Sequence, residues 1–201
     1  MNNPNWINKL QTVKYDGKTK NAVQIYEYLI TNFSPENIKQ KKYQSLYSQF
    51  FKLSRRNQKW RELYFDFIYD LATKYYGKQI NVSFLETCID NFYEIQKMNG
   101  LVPKVETSFI SKALHMINNN LPIWDSNIKV SLLGVNKNYD PIKKDPKKAK
   151  QIYEKINSLV QEKIIQDKDK IDTFRQCFPN ESKNLTDVKI IDFYYWSSVS
   201  K

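Results

Sequence analysis

The sequence predicts an all-α protein, and three observations support this prediction. Apolar residues recur at helical spacing in most segments of the 201-residue chain. Several of these segments begin at a helix-capping residue, and two of them end at a glycine. The chain has only four glycines and seven prolines, which leaves little material for the turns of an all-β fold. We therefore expect residues 1–201 to form a single compact helical domain of two packed lobes.

The N-terminal part is expected to be an irregular arm, residues 1–18, followed by two helices. NAVQIYEYLITNF, residues 21–33, has apolar residues at helical spacing and predicts the first helix. Ser34-Pro35-Glu36 predicts an N-cap with proline at the first helical position of the second helix. Its apolar stripe continues to Leu53, so we expect the second helix to reach that residue.

Two longer helices are predicted next. The segment at 54–77, SRRNQKWRELYFDFIYDLATKYYG, ends where Gly77 can adopt the left-handed conformation that terminates a helix. The segment at 83–100, SFLETCIDNFYEIQKMNG, begins with a capping box formed by Ser83 and Glu86. These helices lead directly into residues 83–135, which we treat as the hairpin and candidate catalytic segment.

The second half of the chain continues the helical pattern. A short connection after Gly100 enters a helix near Ser108, and a further helix begins at Asp125-Ser126. A basic loop at 136–146 precedes the C-terminal helices of residues 146–201. The first of these opens at Asp145-Pro146 and is expected to reach about residue 166. The tail segment TDVKIIDFYYW has β propensity, but its Thr-Asp start and helical surroundings favour a helix.

The charge of the chain is +11 and is unevenly distributed. Residues 39–61 contain eight basic residues and no acidic one, with tyrosine, phenylalanine and tryptophan interleaved among them. Such a field favours nucleic acid, because lysine and arginine neutralise phosphates and release counterions. Solubility of a lysine-rich protein is the alternative explanation. The eight residues are Lys39, Lys41, Lys42, Lys52, Arg55, Arg56, Lys59 and Arg61.

Several classes of protein are disfavoured by the composition. Cys88, Cys177 and a single histidine cannot form a structural zinc site or an all-cysteine iron–sulfur site, so we expect no metal and no cofactor. No apolar run approaches the roughly 20 residues of a membrane span, and the N-terminus lacks the apolar centre of a signal peptide. We expect a cytoplasmic monomer. Walker A, Rossmann, zinc-protease and nucleophile-elbow motifs are absent.

The most specific segment is FISKALHMINNNLPIWDS, residues 109–126. On a helix beginning near Ser108, the apolar residues share one broad face, and Lys112 is expected to point away from it. Asp125 is in the position of an N-cap for the following helix. A solvated lysine and a capping aspartate would be ordinary for such a joint. A catalytic role would require that the Lys112 amine and the Asp125 carboxylate act together.

The order of these elements resembles the helix-hairpin-helix DNA glycosylase superfamily. A helix, a short hairpin, a helix bearing a lysine, and Pro-Ile-Trp-Asp at the start of another helix are most similar to the prokaryotic 8-oxoguanine DNA glycosylase-like group. The best-matching segment is SFISKALHMINNNLPIWDSNI at 108–128, and TDVKIIDFYYW resembles the closing segment of that group. The resemblance covers roughly residues 83–135 and the tail.

The resemblance implies that Lys112 is a nucleophile and that Asp125 assists it. A neutral amine can attack C1′ of deoxyribose as the base leaves, and the resulting Schiff base permits strand cleavage. Such an amine needs a depressed pKa, and a neighbouring carboxylate can shuttle its proton. His115, Trp124 and Ser111 are expected to be neighbours of this site. The resemblance therefore implies a DNA base-excision glycosylase with AP-lyase activity on a damaged or modified base.

The resemblance also implies how DNA would be bound. The hairpin at about 98–111 would present main-chain N–H groups at a helix N-terminus to the phosphate backbone. Where the family has a Gly-x-Gly turn, this chain has Ser108-Phe109-Ile110-Ser111, and we expect the hydroxyl of Ser111 or Thr107 to substitute. The expected DNA contacts are Lys104, Thr107, Ser108, Arg55, Arg56 and Lys59.

Two other functions remain consistent with the sequence. A non-catalytic nucleic-acid-binding module on the same fold would use the positive charge without the chemistry. A helical protein that binds another protein, with incidental charge, would show no affinity for nucleic acid at low salt.

Overall fold

The computed structural model describes residues 3–15, 18–135 and 145–198, and it confirms the all-α prediction. Short 3₁₀ turns lie at Leu53–Arg55 and Glu181–Asn184. The helices are α1 (Asn5–Gln11), α2 (Ala22–Thr31), α3 (Pro35–Ile38), α4 (Lys41–Phe50), α5 (Gln58–Tyr75), α6 (Phe84–Met98), α7 (Thr107–Ile117), α8 (Ser126–Leu133), α9 (Pro146–Gln166), α10 (Lys168–Cys177) and α11 (Asp187–Ser198).

The predicted irregular arm at residues 1–18 is wrong. Residues 5–11 form α1, which buries Ile7 and Leu10 against the C-terminal helix α11. Two three-residue strands follow, β1 (Val13–Tyr15) and β2 (Lys18–Lys20), and they pair as an antiparallel hairpin. The arm is ordered by tertiary burial of α1, a contribution that its short, weakly patterned sequence does not reveal.

The helix predicted from Ser34 to Leu53 is interrupted. The predicted cap is present, since the Ser34 hydroxyl accepts a hydrogen bond from the Asn37 N–H. However, α3 ends at Ile38, and Gln40 adopts an extended conformation before α4 begins. The Asn37 amide donates to the Asn32 carbonyl, and Gln40 donates to the Asn37 side chain. These local side-chain bonds compete with continuation of the helix.

Most other helix boundaries follow the sequence signals. Gly77 adopts a positive φ of 75° after α5, as predicted. The Asp145 side chain accepts from two N–H groups at the start of α9. The predicted capping box at Ser83 is wrong, because the Ser83 hydroxyl donates to the Asn81 side chain instead of capping α6. The predicted basic loop at 136–146 lies mostly outside the described residues.

The described helices surround a hydrophobic core that extends from α1 to α11. Helix α7 packs against α5 and α6, and α6 also packs against α9. The predicted tail helix is confirmed as α11, which contacts α1, α8, α9 and α10. Because α11 lies beside α8, the C-terminal segment is brought next to the segment that follows α7. This arrangement positions the candidate site.

Candidate active site

Lys112 lies in the middle of α7, under aromatic side chains at the end of α4. Its Nζ donates a long hydrogen bond to the Phe51 carbonyl (3.5 Å) and lies 4.8 Å from the centre of the Phe109 ring. Part of the side chain remains accessible. Among the described residues, Lys112 forms no ion pair within 4.0 Å. Lys112, which was expected to point away from the apolar face of its own helix, thus has aromatic neighbours at Phe51 and Phe109.

Burial lowers the pKa of Lys112 to about 8. The loss of hydration disfavours the charged amine, whereas the negative charges of Asp125 and Asp192 favour it. The cations of Lys52 and Lys189 act in the same direction as burial and lower the pKa further. Near pH 8 about half of this lysine is consequently a neutral amine, which is the form that can act as a nucleophile.

Asp125 caps α8, as the sequence predicted. Its Oδ1 accepts hydrogen bonds from the N–H groups of Asn127 (2.8 Å) and Ile128 (2.9 Å). Only one of its carboxylate oxygens is used by these two bonds. Asp125 therefore serves as a helix cap while its charge acts on the amine of Lys112.

Three hydrogen bonds fold the segment after α7 back along that helix. The Ser111 hydroxyl accepts from the Trp124 N–H (2.9 Å), and the His115 Nδ1–H donates to the Leu121 carbonyl (2.5 Å). From α9, the Tyr153 hydroxyl donates to the Pro122 carbonyl (2.6 Å). This bracing brings Asp125 toward Lys112 although thirteen positions separate them in the sequence.

The three expected neighbours of the site are buried structural residues. His115 is fully buried, and its Nε2 accepts from the Tyr26 hydroxyl at 2.6 Å. Burial lowers the pKa of His115 to about 3, so the ring is neutral at physiological pH. Ser111 is buried and also donates to the Ser108 carbonyl, while Trp124 stacks on Tyr153 within the core. These residues support the site by fixing its backbone.

A buried ion pair on α11 is a feature of the site that the sequence did not predict. Lys189 Nζ lies 2.5 Å from Asp192 Oδ2, and their side chains are only 3% and 9% exposed. Asp192 acts electrostatically on Lys112, as Asp125 does. A signal was present in the sequence, because a lysine and an aspartate one helical turn apart interrupt the apolar run KIIDFYYW. Such charges are seldom buried unless they are paired.

The hairpin between α6 and α7 spans residues 99–106 and has its own glycine. Gly100 adopts a φ of 70°, and the Leu101 N–H donates to the Gln96 carbonyl. The Gln96 side chain donates to the Lys104 carbonyl and braces the hairpin from within. The interpretation of residues 108–111 as the turn is wrong, because these residues form the first turns of α7.

The start of α7 carries a charge pair rather than a free anion-binding end. Glu106 precedes the helix, is 7% exposed, and pairs with Arg56 at 2.5 Å. The Arg56 guanidinium lies 5.0 Å from the ring centres of Trp60 and Phe109. Burial raises the pKa of Glu106, and the Arg56 and Lys104 cations oppose that rise. A phosphate approaching this helix end would meet a carboxylate.

The other expected DNA contacts differ in exposure. Lys104, Arg55 and Lys59 are exposed, and Ser108 is partly exposed. Thr107 is mostly buried, with 7% of its surface exposed. The basic surface near α7 thus consists of arginine and lysine side chains around the Arg56–Glu106 pair.

Comparison with known proteins does not assign the chain to a family. No family model, no curated protein and no solved structure matches it. Within the described ranges, no group of three or more histidine, cysteine, aspartate or glutamate side chains is arranged to hold a metal ion. No helix in those ranges has the length and apolarity needed to cross a membrane.

Proposed function

We propose that the protein is a DNA base-excision glycosylase with AP-lyase activity, acting on a damaged or modified base. The observation that carries this proposal is Lys112, an amine with a lowered pKa and no ion pair within 4.0 Å among the described residues. Perturbed lysines of this kind are typical of Schiff-base enzymes. The resemblance of residues 108–128 to a glycosylase motif and the charge of +11 support DNA as the substrate.

The chemistry follows from the groups present. The neutral Nζ of Lys112 forms a bond to C1′ of the deoxyribose while the bond between C1′ and the base breaks. The base leaves with the electron pair of that bond and takes up a proton. Asp125 can accept the proton that the attacking amine loses, and its charge can stabilise positive charge developing on the sugar.

Strand cleavage would follow from the same intermediate. After ring opening, the lysine and C1′ form an iminium, which acidifies the C2′ proton. Removal of that proton expels the 3′ phosphate by β-elimination, and water then releases the lysine. The target nucleotide must leave the base stack for Lys112 to reach C1′.

Borohydride trapping on duplex DNA tests this proposal. The duplexes carry either an abasic site or one of a panel of damaged bases, and borohydride reduces the iminium to a stable cross-link. The parent should cross-link, and Lys112→Gln should not. Lys155→Gln is the matched control, because it removes the same charge from an exposed position on α9. Equal cross-linking by Lys112→Gln and the parent would show that the assigned nucleophile is wrong.

A non-catalytic nucleic-acid-binding module is the second candidate function. The observation that favours it is the Glu106 carboxylate at the start of α7, where the glycosylase motif would place a phosphate. This function predicts salt-sensitive DNA binding that persists in Lys112→Gln and Asp125→Asn, with no product from any lesion.

A further inference from the structure

The Lys189–Asp192 pair is held in one arrangement by its surroundings. Both residues lie on α11 one turn apart, and both side chains are buried. Three aromatic rings surround Lys189 Nζ, with centres between 4.4 and 5.4 Å away; they belong to Tyr26, Phe50 and Phe193. A lysine enclosed in this way has little freedom to exchange its partner.

The pair lies next to Lys112 across two consecutive phenylalanines. Phe50 and Phe51 end α4, and their ring centres are 4.9 Å apart. The Phe50 ring faces Lys189, whereas the Phe51 carbonyl and ring face Lys112. The two lysines therefore approach the same short stretch of chain, one from α11 and one from α7.

Asp192 is attracted to both lysines but is bonded to one. Its Oδ2 contacts Lys189, and its buried Oδ1 has no hydrogen-bond partner among the described residues. The charges of Lys189 and Lys112 both favour the ionised carboxylate. A carboxylate left with an unused buried oxygen would gain from a second cation, so Lys112 is its natural alternative partner.

We propose that Lys189 is a positioning residue, which occupies Asp192 and thereby prevents this carboxylate from capturing the amine of Lys112. The inference rests on the proposed function for its consequence in catalysis, but the electrostatic relation it describes can be measured without DNA. Lys189 does not touch the reacting atoms; it acts through Asp192.

Whether removing Lys189 raises or lowers the pKa of Lys112 depends on every charge that faces Lys112. Two carboxylates, Asp125 before α8 and Asp192 on α11, favour the charged amine, while Lys52 and Lys189 disfavour it. Glu106 at the start of α7 also interacts with Lys112. Removing Lys189 subtracts one cation and frees one carboxylate. Both changes favour protonation of Lys112, so the neutral fraction at a given pH should fall.

Titration of ¹⁵N-labelled lysine side chains by NMR tests this directly, with the Lys112 signal assigned from its loss in Lys112→Gln. Lys189→Met should raise the midpoint of Lys112 by about one pH unit or more, which is a tenfold fall in the neutral fraction below the midpoint. Asp192→Asn should lower the midpoint. The double variant Lys189→Met/Asp192→Asn should lie between the two single variants, and Lys155→Met should match the parent.

Opposite shifts from the two single variants would distinguish electrostatics from general loosening of the fold. If Lys189→Met does not fold, the Lys112 midpoint is compared between Asp192→Asn and the double variant. The inference predicts the higher midpoint in the double variant. Midpoints in all folded variants within the error of the parent would overturn the inference.

The trapping reaction separates this inference from the proposed function. With an active parent, the pH profile of trapping should move to higher pH in Lys189→Met by the shift seen in NMR. If the parent traps no DNA and the NMR shifts occur as expected, the inference stands and the glycosylase proposal fails. If trapping is lysine-dependent and neither profile nor midpoint moves, the inference alone fails.

Discussion

Lys112 on α7 and Lys189 on α11 lie near the same carboxylate, yet their environments differ. Lys189 makes a 2.5 Å ion pair with Asp192 and is almost completely buried. Lys112 remains partly accessible, and within the described ranges its amine donates only a long hydrogen bond, to the Phe51 carbonyl. Among these residues one lysine is thus paired with a carboxylate and the other has no ionic partner within 4.0 Å.

Burial alone therefore does not make a lysine reactive. A buried lysine that is paired with a carboxylate is satisfied, and removing either partner is strongly destabilising. A buried lysine without an ion pair has a lowered pKa and can react as a neutral amine. In this protein the two conditions occur within one site, and variants of each lysine should therefore fail in different ways.

The largest expected effect is on catalysis by Lys112. Lys112→Gln should reduce trapping by on the order of 10³-fold or more at every pH, because a nucleophile cannot be replaced by an amide. In Lys189→Met, trapping should be reduced near neutral pH and should recover at higher pH. Rates measured from pH 6 to 10 check this, with Lys155→Gln as control. Recovery of trapping by Lys112→Gln at alkaline pH would contradict the assignment of Lys112 as the nucleophile.

For stability the two lysines should rank in the reverse order, so that replacing Lys189 costs more than replacing Lys112. Lys189→Met breaks the buried pair with Asp192, and the attraction of Asp192 to Lys112 should offset only part of that cost. The free energy of unfolding should therefore fall by up to about 3–5 kcal/mol. Lys112→Met removes a lysine that burial already disfavours, so its cost should be much smaller. Urea unfolding at pH 7 measures both, and Lys155→Met provides the exposed control. A loss in Lys189→Met no larger than the loss in Lys112→Met would contradict this order.

Two variants of Asp125 should separate its role as a helix cap from the effect of its charge. Asp125→Asn keeps an oxygen that can accept from the N–H groups of Asn127 and Ile128, so stability should change little. Its trapping rate should fall roughly 10²–10⁴-fold, because the carboxylate proposed to assist the amine is lost. Asp125→Ala should lose about 0.5–2 kcal/mol of stability in addition. Unfolding and trapping measured on both variants check the distinction, which fails if the two behave alike.

His115 gives the fold a dependence on pH that Lys112 and Asp125 do not explain. Its pKa falls from an ordinary 6.5 in the unfolded chain to about 3 in the fold. The unfolded state therefore binds more protons between these values, and stability is lost as pH falls below 6.5. At pH 5 the expected loss from this group is about 2 kcal/mol relative to pH 7.

The measurement is urea unfolding of the parent and His115→Gln at pH 7 and pH 5. His115→Gln can retain a hydrogen bond and should show less of this loss. An equal loss in both proteins would assign the acid sensitivity to other groups.

The smallest expected effect concerns phosphate contacts by the exposed lysines. Lys104→Gln and Lys59→Gln should each reduce the slope of log K against log salt by about 0.9 for duplex DNA, if each contacts one phosphate. Binding titrations over a range of salt concentrations check this, and Lys155→Gln should leave the slope unchanged. An unchanged slope in both variants would place the DNA elsewhere on the protein.

The sequence predicts much of the fold because caps and helical spacing are local signals. Asp125 and Asp145 both cap helices as predicted, and α9 and α11 occur where their patterns predict them. The capping position of Asp125 was predictable for the same reason. Resemblance, rather than spacing, suggested that Lys112 and Asp125 act together.

The features that the sequence did not predict depend on contacts between segments that are distant along the chain. The position of Lys112 beside Phe51 arises because the residue that follows α4 lies against α7, a contact that the periodicity of α7 alone does not encode. Burial of His115 requires Tyr26 from α2. The pairing of Lys189 with Asp192 is local, but its proximity to Lys112 requires α11 to pack beside α8. For these reasons several helix ends were predictable, whereas the interruption after Ile38 and the electrostatics of the site were not.

Mapping of the borohydride-trapped adduct identifies the nucleophile itself. The cross-linked protein is digested with protease and nuclease, and mass spectrometry locates the lysine that carries the reduced sugar. We expect a single modified residue, Lys112, with Lys189 unmodified. Attachment to Lys189, to an exposed lysine or to the N-terminal amine would contradict the assignment of Lys112 as the nucleophile.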